Sequence, residues 1–355
     1  MTSAFVAVSV RWPRSGADSS TDRSVDVASL GMRAVVCREF GPPELLVVED
    51  VDDPRPATRE LLVRVEASAV TFPDTLMLED KYQFKATPPY IPGGEVAGIV
   101  AALGKGVEGW AVGDRVVGGL GTIGGYAELA AVPATTARRV PDSVDLALVA
   151  GLNYAYGTGL YGLRHRGALQ VGETLLVLGA GGAVGLAAVE LGRLLGARVI
   201  AAASSAEKLG LCREHGADDV IDYSTEDLKI RAKELTDGRG VDVVYDCVGG
   251  ERAEQALRAI AWEGRFLVIG FAAGIPSIPL NLALLKSCQI VGVFYGAMTA
   301  RDPALGASIG EELLGLVATG DLRPHVSGRY PLERASEALR LLIDRKAVGK
   351  VVVTP

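Results

Sequence analysis

The sequence predicts an α/β protein in which a doubly wound parallel sheet is joined to a β-rich, barrel-like unit. Three observations carry this. Residues 174–202 read as strand, glycine turn, helix and second strand. From 172 to 296 short apolar runs alternate with helical patterns, which is the signature of a parallel sheet with crossover helices. From 32 to 153 the chain instead shows short strands punctuated by Pro and Gly, the pattern of an antiparallel unit.

Residues 1–31 mix Ser, Asp, Arg and Gly around a brief apolar patch, Ala4 to Val10, too short and poorly flanked for a signal peptide. They are expected to be a disordered tail, with translation from Met32 as the alternative, since Met32 to Val36 reads as a natural first strand. Leu61 to Ala67 and Gly98 to Ala101 are the clearest strands of the β-rich unit. The doubly wound unit has strands at Thr174 to Leu178, Arg198 to Ala202, Asp219 to Ile221, Val241 to Tyr245, Arg265 to Ile269 and Ile290 to Phe294. Helices near Glu311 to Ala318 and Glu333 to Ile343 precede a terminal strand, Lys350 to Val353, expected to return to the first unit.

The turn Gly179-Ala180-Gly181-Gly182-Ala183-Val184-Gly185 gives the fold a chemical reading. Thr174 to Leu178 is a run of apolar and β-branched residues, as in a strand buried on both faces. Gly182 lets the backbone approach a pyrophosphate, Gly185 lets the helix pack on the strand, and the amides at the helix start face an anion. The helix carries Val184, Ala187, Ala188, Leu191 and Leu195 at helical spacing and ends at Gly196-Ala197. Glycine turns are common, but this one follows a strand, opens a helix and feeds a second strand, the setting of the Rossmann dinucleotide site. Where an NAD site carries an acid for the ribose 2′-hydroxyl, this chain has Ala203, then Ser204, Ser205 and Lys208. Hydroxyls and an ammonium suit a 2′-phosphate, which points to NADP(H). Ser204 and Ser205 also suit the cap of a helix starting near Ala206.

Composition narrows the function classes. A chain of 355 residues, 49% hydrophobic, can bury a core large enough for two domains. A net charge of -7 and the absence of a Lys/Arg run argue against a nucleic-acid surface. Cys37, Cys212, Cys247 and Cys288 lack paired spacing and read as reduced thiols of a cytoplasmic protein. No apolar run is long enough to span a bilayer. Of the three histidines, His165 and His215 fall at predicted helix ends and His325 in a loop, so all three are expected to be solvated.

Further motifs occur in order: Pro92-Gly-Gly-Glu-Val-Ala-Gly98, Gly113-Asp-Arg-Val-Val117, Gly125-Tyr-Ala-Glu128, Ala155-Tyr-Gly-Thr158, Tyr245-Asp-Cys-Val-Gly-Gly250 and Val268-Ile-Gly-Phe271. With the glycine turn they make the chain, from Met32 to Pro355, resemble the medium-chain dehydrogenase/reductase superfamily and its zinc-free quinone oxidoreductases related to zeta-crystallin. The resemblance implies a GroES-like catalytic domain over 32–153 and 297–355 and an NADP-binding domain over 154–296. It implies that Tyr223 and Arg345 join Ser204 and Lys208 at the 2′-phosphate, and that Thr158, Ala180, Gly181, Gly182, Ala183, Val184, Val248, Phe271 and Phe294 complete the cofactor site.

Zinc-dependent relatives place their catalytic ligands where this chain has Thr71, Gly94 and Tyr154, and the four-cysteine lobe of structural zinc is missing, so no metal is expected. Pro73, at the usual relay position, has no hydroxyl. Without a Lewis acid, the resemblance implies an acceptor that is already electrophilic, a quinone or an α,β-unsaturated carbonyl. Thr71, where similar proteins have asparagine, and Tyr82 are the substrate-cleft candidates. Cys247 reads as a small buried residue, not a nucleophile. An enoyl-thioester reductase and a noncatalytic NADPH-binding protein are the alternatives, and a homodimer through the strand at Ile290 to Phe294 is expected.

Overall fold

The computed structural model describes residues 31–355. The expectations for the first thirty residues lie outside the described residues. Strands β1 (Met32–Val36) and β2 (Val47–Val51) form an antiparallel hairpin. β3 (Glu60–Val70), β4 (Glu95–Leu103), β5 (Arg115–Gly119), β6 (Leu129–Pro133) and β7 (Arg138–Arg139) build an antiparallel sheet in which β3 is flanked by β4 and β6. Along β3, Leu61, Val63, Val65 and Ala67 are buried while Arg64 and Glu66 face solvent, the period-2 alternation of a half-buried strand.

The second sheet is parallel and six-stranded: β8 (Thr174–Leu178), β9 (Arg198–Ala203), β10 (Asp219–Asp222), β11 (Val241–Asp246), β12 (Ile260–Val268) and β13 (Gln289–Gly292). Its order is β10-β9-β8-β11-β12-β13, so the winding reverses between β8 and β11 and leaves a crevice at their carboxyl ends. All five residues of β8 are buried. Leu175 and Val177 pack on one face with Ala187, Val189 and Leu191 of the helix Ala183–Leu194, whereas Leu176 and Leu178 pack on the other with Ile200, Val244 and Leu257. Each such side chain contributes about 1.5–3 kcal/mol of apolar burial, so one five-residue strand anchors both helical layers.

After β13 the chain forms the helices Pro303–Thr319 and Ala335–Ile343 and strands β14 (Val326–Tyr330) and β15 (Lys350–Val353). β15 pairs antiparallel with β3, placing Val351 opposite Val70, and parallel with β14. Some element limits differ from the sequence reading. The helix expected near Glu311 begins at Pro303, because Asp302 caps it by accepting from Leu305 N at 3.0 Å and proline suits the first turn. β12 begins at Ile260, five residues before the expected Arg265, and β13 stops at Gly292, leaving Phe294 beyond the strand.

Gly185 is where the crossover helix meets the turn after β8. A Cβ there would lie 2.2 Å from Gly179 O and 2.8 Å from Ala180 Cα, and neither backbone atom can swing aside. Gly185→Ala is therefore expected to lower stability by about 1–3 kcal/mol, read as a reduced thermal unfolding midpoint; an unchanged midpoint would show that the turn yields.

Candidate functional site

The site begins at the turn that ends β8. Gly179 takes φ +68°, and Ala180 N donates to Ala202 O at 3.1 Å, tying the turn to β9. Gly182 caps the helix Ala183–Leu194 without any side-chain partner for the helix amides. A Cβ on Gly182 would meet nothing nearer than Gly179 O at 3.6 Å, so the space before Ala183 and Val184 is open. Gly181 has a role the sequence did not reveal: a Cβ there would strike the Lys208 stem at 2.5 Å, so this glycine is the floor on which the lysine lies.

Beyond β9 the residues read as a cationic slot come together. Ala203 is buried and Ser204 exposed, while Ser205 caps the helix Ala206–Glu214 by accepting from Lys208 N at 3.4 Å. Lys208 Nζ donates to the Arg345 carbonyl at 2.6 Å, and Arg345, itself at φ +58°, directs Nη2 to Ala272 O at 3.4 Å. The Tyr223 phenol meets Ser204 and feels the charges of Arg252 and Arg345. Arg252, in the first turn of the helix Gly250–Ala259, stacks over the Tyr223 ring at 4.8 Å. Arg252 was invisible to spacing, because only the tertiary fold brings that helix beside β10. The returning segment also touches the turn directly, with Gly349 N donating to Gly181 O at 2.8 Å.

At the crevice between β8 and β11, buried Asp246 accepts from Val248 N at 2.8 Å and Gly249 N at 2.9 Å, which fixes the turn after β11. A Cβ on Gly179 would come within 2.9 Å of Val248, so the two turns are in contact. Burial pushes the Cys247 thiol well above the usual range, in keeping with an inert side chain. Thr158 Oγ1 donates to Tyr154 O at 2.6 Å, inside a helical run over 153–166 built largely of wide π-type turns. Phe271 and Phe294 are 40% and 47% exposed, unusual for rings at the edge of a core. Phe294 faces Phe84 at 6.1 Å, and Phe84 meets Tyr82 at 5.8 Å, so three aromatics span the gap between the two sheets. Nothing in the local pattern around Phe84 marks it for this place.

The floor of the cleft comes from the end of β3. Thr71 precedes the helix Phe72–Leu78, and Asp74 Oδ2 accepts from Thr71 N and Thr71 Oγ1, both at 2.7 Å, and from Tyr126 Oη at 3.1 Å. Asp74 is 3% exposed, and burial pushes its carboxyl up to about 6 despite these bonds. The Tyr154 phenol, raised well above its usual range by burial, feels Tyr82, Asp74 and Cys247, so groups from both units converge here. Beneath Tyr154, buried Glu95 accepts from Asn153 N and Tyr154 N, each at 3.0 Å. Lys350 Nζ donates to Leu148 O at 2.6 Å and Ala150 O at 2.5 Å, and burial pulls its ammonium down to about 7.

These residues do not fit zinc. The Thr71 hydroxyl is engaged by Asp74, a side chain at Gly94 would lie 2.5 Å from Gly121 O, and the Tyr154 phenol is held neutral. Among the described residues no group of three or more His, Cys, Asp or Glu is arranged for a metal ion. No helix among them is long and apolar enough to cross a membrane. The expectation of three solvated histidines is corrected at His215. Its side chain is 11% exposed, Nδ1 lies 2.7 Å from Glu190 Oε1, and its ring meets His325 edge-on at 5.9 Å. Glu190 is buried on the helix behind the glycine turn and also accepts from Tyr156 Oη at 2.6 Å; an acid in an apolar helix face required a partner that spacing did not disclose.

Residues 57–142 match the alcohol dehydrogenase GroES-like domain, and residues 183–307 match the family described as zinc-binding dehydrogenase. The chain is 41% identical over 325 residues to a quinone oxidoreductase-like protein 2 homolog of Nematostella vectensis, covering 90% of this chain and 88% of that one. Among solved structures, a mycobacterial protein complexed with NADPH superposes with TM-score 0.85 at 34% identity, covering 91% of this chain and all of that one. The Escherichia coli quinone oxidoreductase complexed with NADPH gives TM-score 0.82 at 29% identity over the same shares. With the glycine turn, the reversed sheet order and a metal-incompatible cleft floor, these likenesses assign the chain to the quinone oxidoreductase group of the medium-chain dehydrogenase/reductase superfamily.

Proposed function

We propose that the protein is an NADPH-dependent, zinc-independent reductase that adds hydride to quinones or to alkenes conjugated with a carbonyl. The observation carrying this reading is the convergence of Ser204, Lys208, Tyr223 and Arg345 beside the glycine turn, where Ala203 stands in place of the acid that an NAD site uses. A dianionic 2′-phosphate fits that slot. Ala183 and Val184 offer backbone amides to the pyrophosphate at the uncapped helix start, Gly181 and Gly182 leave room for its approach, the Gly182 amide being engaged by Gly179 O at 3.1 Å, and Ala180, Thr158, Val248, Phe271 and Phe294 lead along the crevice toward Tyr82 and Thr71. The bound cofactor supplies the hydride, and the chain's own residues supply orientation and the exclusion of water. The division into a catalytic domain of 32–153 with 297–355 and a cofactor domain of 154–296 accords with this arrangement.

The half-exposed rings of Tyr82, Phe84 and Phe294 suit a flat conjugated acceptor, which stacks against such faces. An acceptor of this kind needs no Lewis acid, which agrees with a floor unfit for metal. The outer strand β13 has an unpaired edge, with Ile290 39% exposed and Leu284 79% exposed nearby, so a homodimer through this edge is part of the reading.

NADPH oxidation with benzoquinone, phenanthrenequinone, a small enone and crotonyl-CoA, with and without chelator, tests the reaction. Chelator-insensitive turnover of a quinone or the enone is expected. A strong preference for the thioester would point to an enoyl-thioester reductase, and tight NADPH binding without any turnover to a noncatalytic binder. Lys208→Ala and Arg345→Ala are each expected to raise the KM for NADPH about tenfold or more, as befits loss of a charge-assisted hydrogen bond, with little change for NADH; equal effects on both cofactors would remove the 2′-phosphate assignment. Sedimentation equilibrium is expected to give twice the chain mass, and a monomer would discard the β13 interface.

A further inference from the structure

Hydride addition to a carbonyl-conjugated acceptor leaves a pair of electrons on the carbonyl oxygen, as an enolate or a phenolate, and the reaction needs one proton to finish. In this cleft neither zinc nor an adjacent hydroxyl relay is available, since Pro73 stands beside Asp74. Burial raises the phenols of Tyr82 and Tyr154, and neither is hydrogen-bonded to an acid that could restore a proton it gave up, whereas Thr71 is.

We propose that Thr71 and Asp74 form a two-member proton relay, in which the Thr71 hydroxyl protonates the oxygen of the reduced acceptor and is itself reprotonated by the Asp74 carboxylic acid. The inference rests on the reductase reading above. In the step, the acceptor gains the hydride with its two electrons. Its oxygen forms an O–H bond with the Thr71 proton, the Thr71 O–H bond breaks, and the Asp74 proton moves to Thr71 Oγ1. The carboxylate left behind takes a proton from water when the product departs.

Geometry supports each link. Thr71 is half-buried at the cleft floor while Asp74 lies behind it with 3% exposure; of the two hydroxyls Asp74 accepts from, that of Tyr126 is fully buried, which leaves Thr71 as the link toward the cleft. A hydroxyl both donates and accepts, so the one 2.7 Å contact serves transfer in either direction. Burial makes the acid form accessible near neutral pH, against the hydrogen bonds that Asp74 accepts, which favour the carboxylate. The groups facing Asp74 are the Thr71 hydroxyl and amide, the Gly93 amide and the phenols of Tyr82, Tyr90, Tyr126 and Tyr154. No cation is among them. The helix Ala335–Ile343, packed on the helix Phe72–Leu78, presents Ala335, Ala338 and Leu339 to it, and its charged residues Glu337 and Arg340 are paired with Arg334 and Glu44. A carboxylate buried with no counter-charge keeps its proton to higher pH than a solvated one, here to about 6, even though the donors it accepts from pull the other way.

The sign of the pH dependence follows. Because the protonated acid is the donor, kcat with a conjugated acceptor is expected to fall as pH rises through about 6. Asp74→Asn keeps an acceptor for the Thr71 amide but carries no transferable proton. It is expected to lower kcat about 100-fold below the break and to give a flat profile, with KM for NADPH unchanged. Thr71→Ser should restore the wild-type profile, and Thr71→Val should abolish it. Infrared titration of the protein without cofactor should show a protonated carboxyl band that disappears as pH rises through about 6 and is missing in Asp74→Asn. A helix-capping role alone would lower the unfolding midpoint without removing the break. A break retained in Asp74→Asn, full activity in Thr71→Val, or a carboxyl already ionised well below the break would each overturn the relay. If Asp74→Asn does not fold, the Thr71 pair and the infrared titration decide the matter. Wild-type protein inactive with every acceptor would defeat the reductase reading instead, a result distinguishable from a normal carboxyl titration in an inactive protein.

Discussion

The seating of the helix Ala183–Leu194 against the turn that ends β8 is the constraint on which the remaining architecture depends. Gly185 leaves no room for a side chain between helix and turn, and β8 supplies side chains to the cores on both faces of its sheet. Moving that helix outward by the width of a methyl group would carry its amides away from the open space at Gly182. It would also disturb buried Glu190, which links this helix to Tyr156 and His215. The cofactor reading therefore depends on packing before it depends on any charged group.

Two kinds of electrostatic environment lie within one molecule. At the end of β9, Lys208, Arg252 and Arg345 gather around Tyr223 and Ser204, a cationic field open to solvent. At the cleft floor the groups around Asp74 are neutral phenols and amides. The first environment favours a bound anion and the second penalises one. The two ends of the crevice therefore differ in the charge they tolerate.

Much of the fold was legible because it rests on local pattern. The run Thr174 to Leu178, the glycines after it and the alternation of strands and helices are each set by neighbouring residues. The slot was partly legible: Lys208 follows β9 at a fixed interval, and Tyr223 and Arg345 entered only through a family likeness. Arg252, Phe84 and the Glu190–His215 contact were not, since each depends on elements far apart in sequence meeting in space. Asp74 was visible as a residue, but its burial among Tyr82, Tyr126 and Tyr154 was not, because three separate segments deliver those rings. His215 was misread for a related reason: a helix end looks solvated until the partner from another helix is known.

The segment from Arg345 to Gly349 ties the two units to each other. Its backbone meets Lys208 and Gly181, and the strand that follows it, β15, covers one edge of β3. Both contacts come from one short stretch, residues 345–353, so a distortion there reaches the cationic slot and the barrel edge together. The parallel sheet has its own strand pairings without it, but the slot beside Lys208 and the edge of β3 are completed by the same few residues.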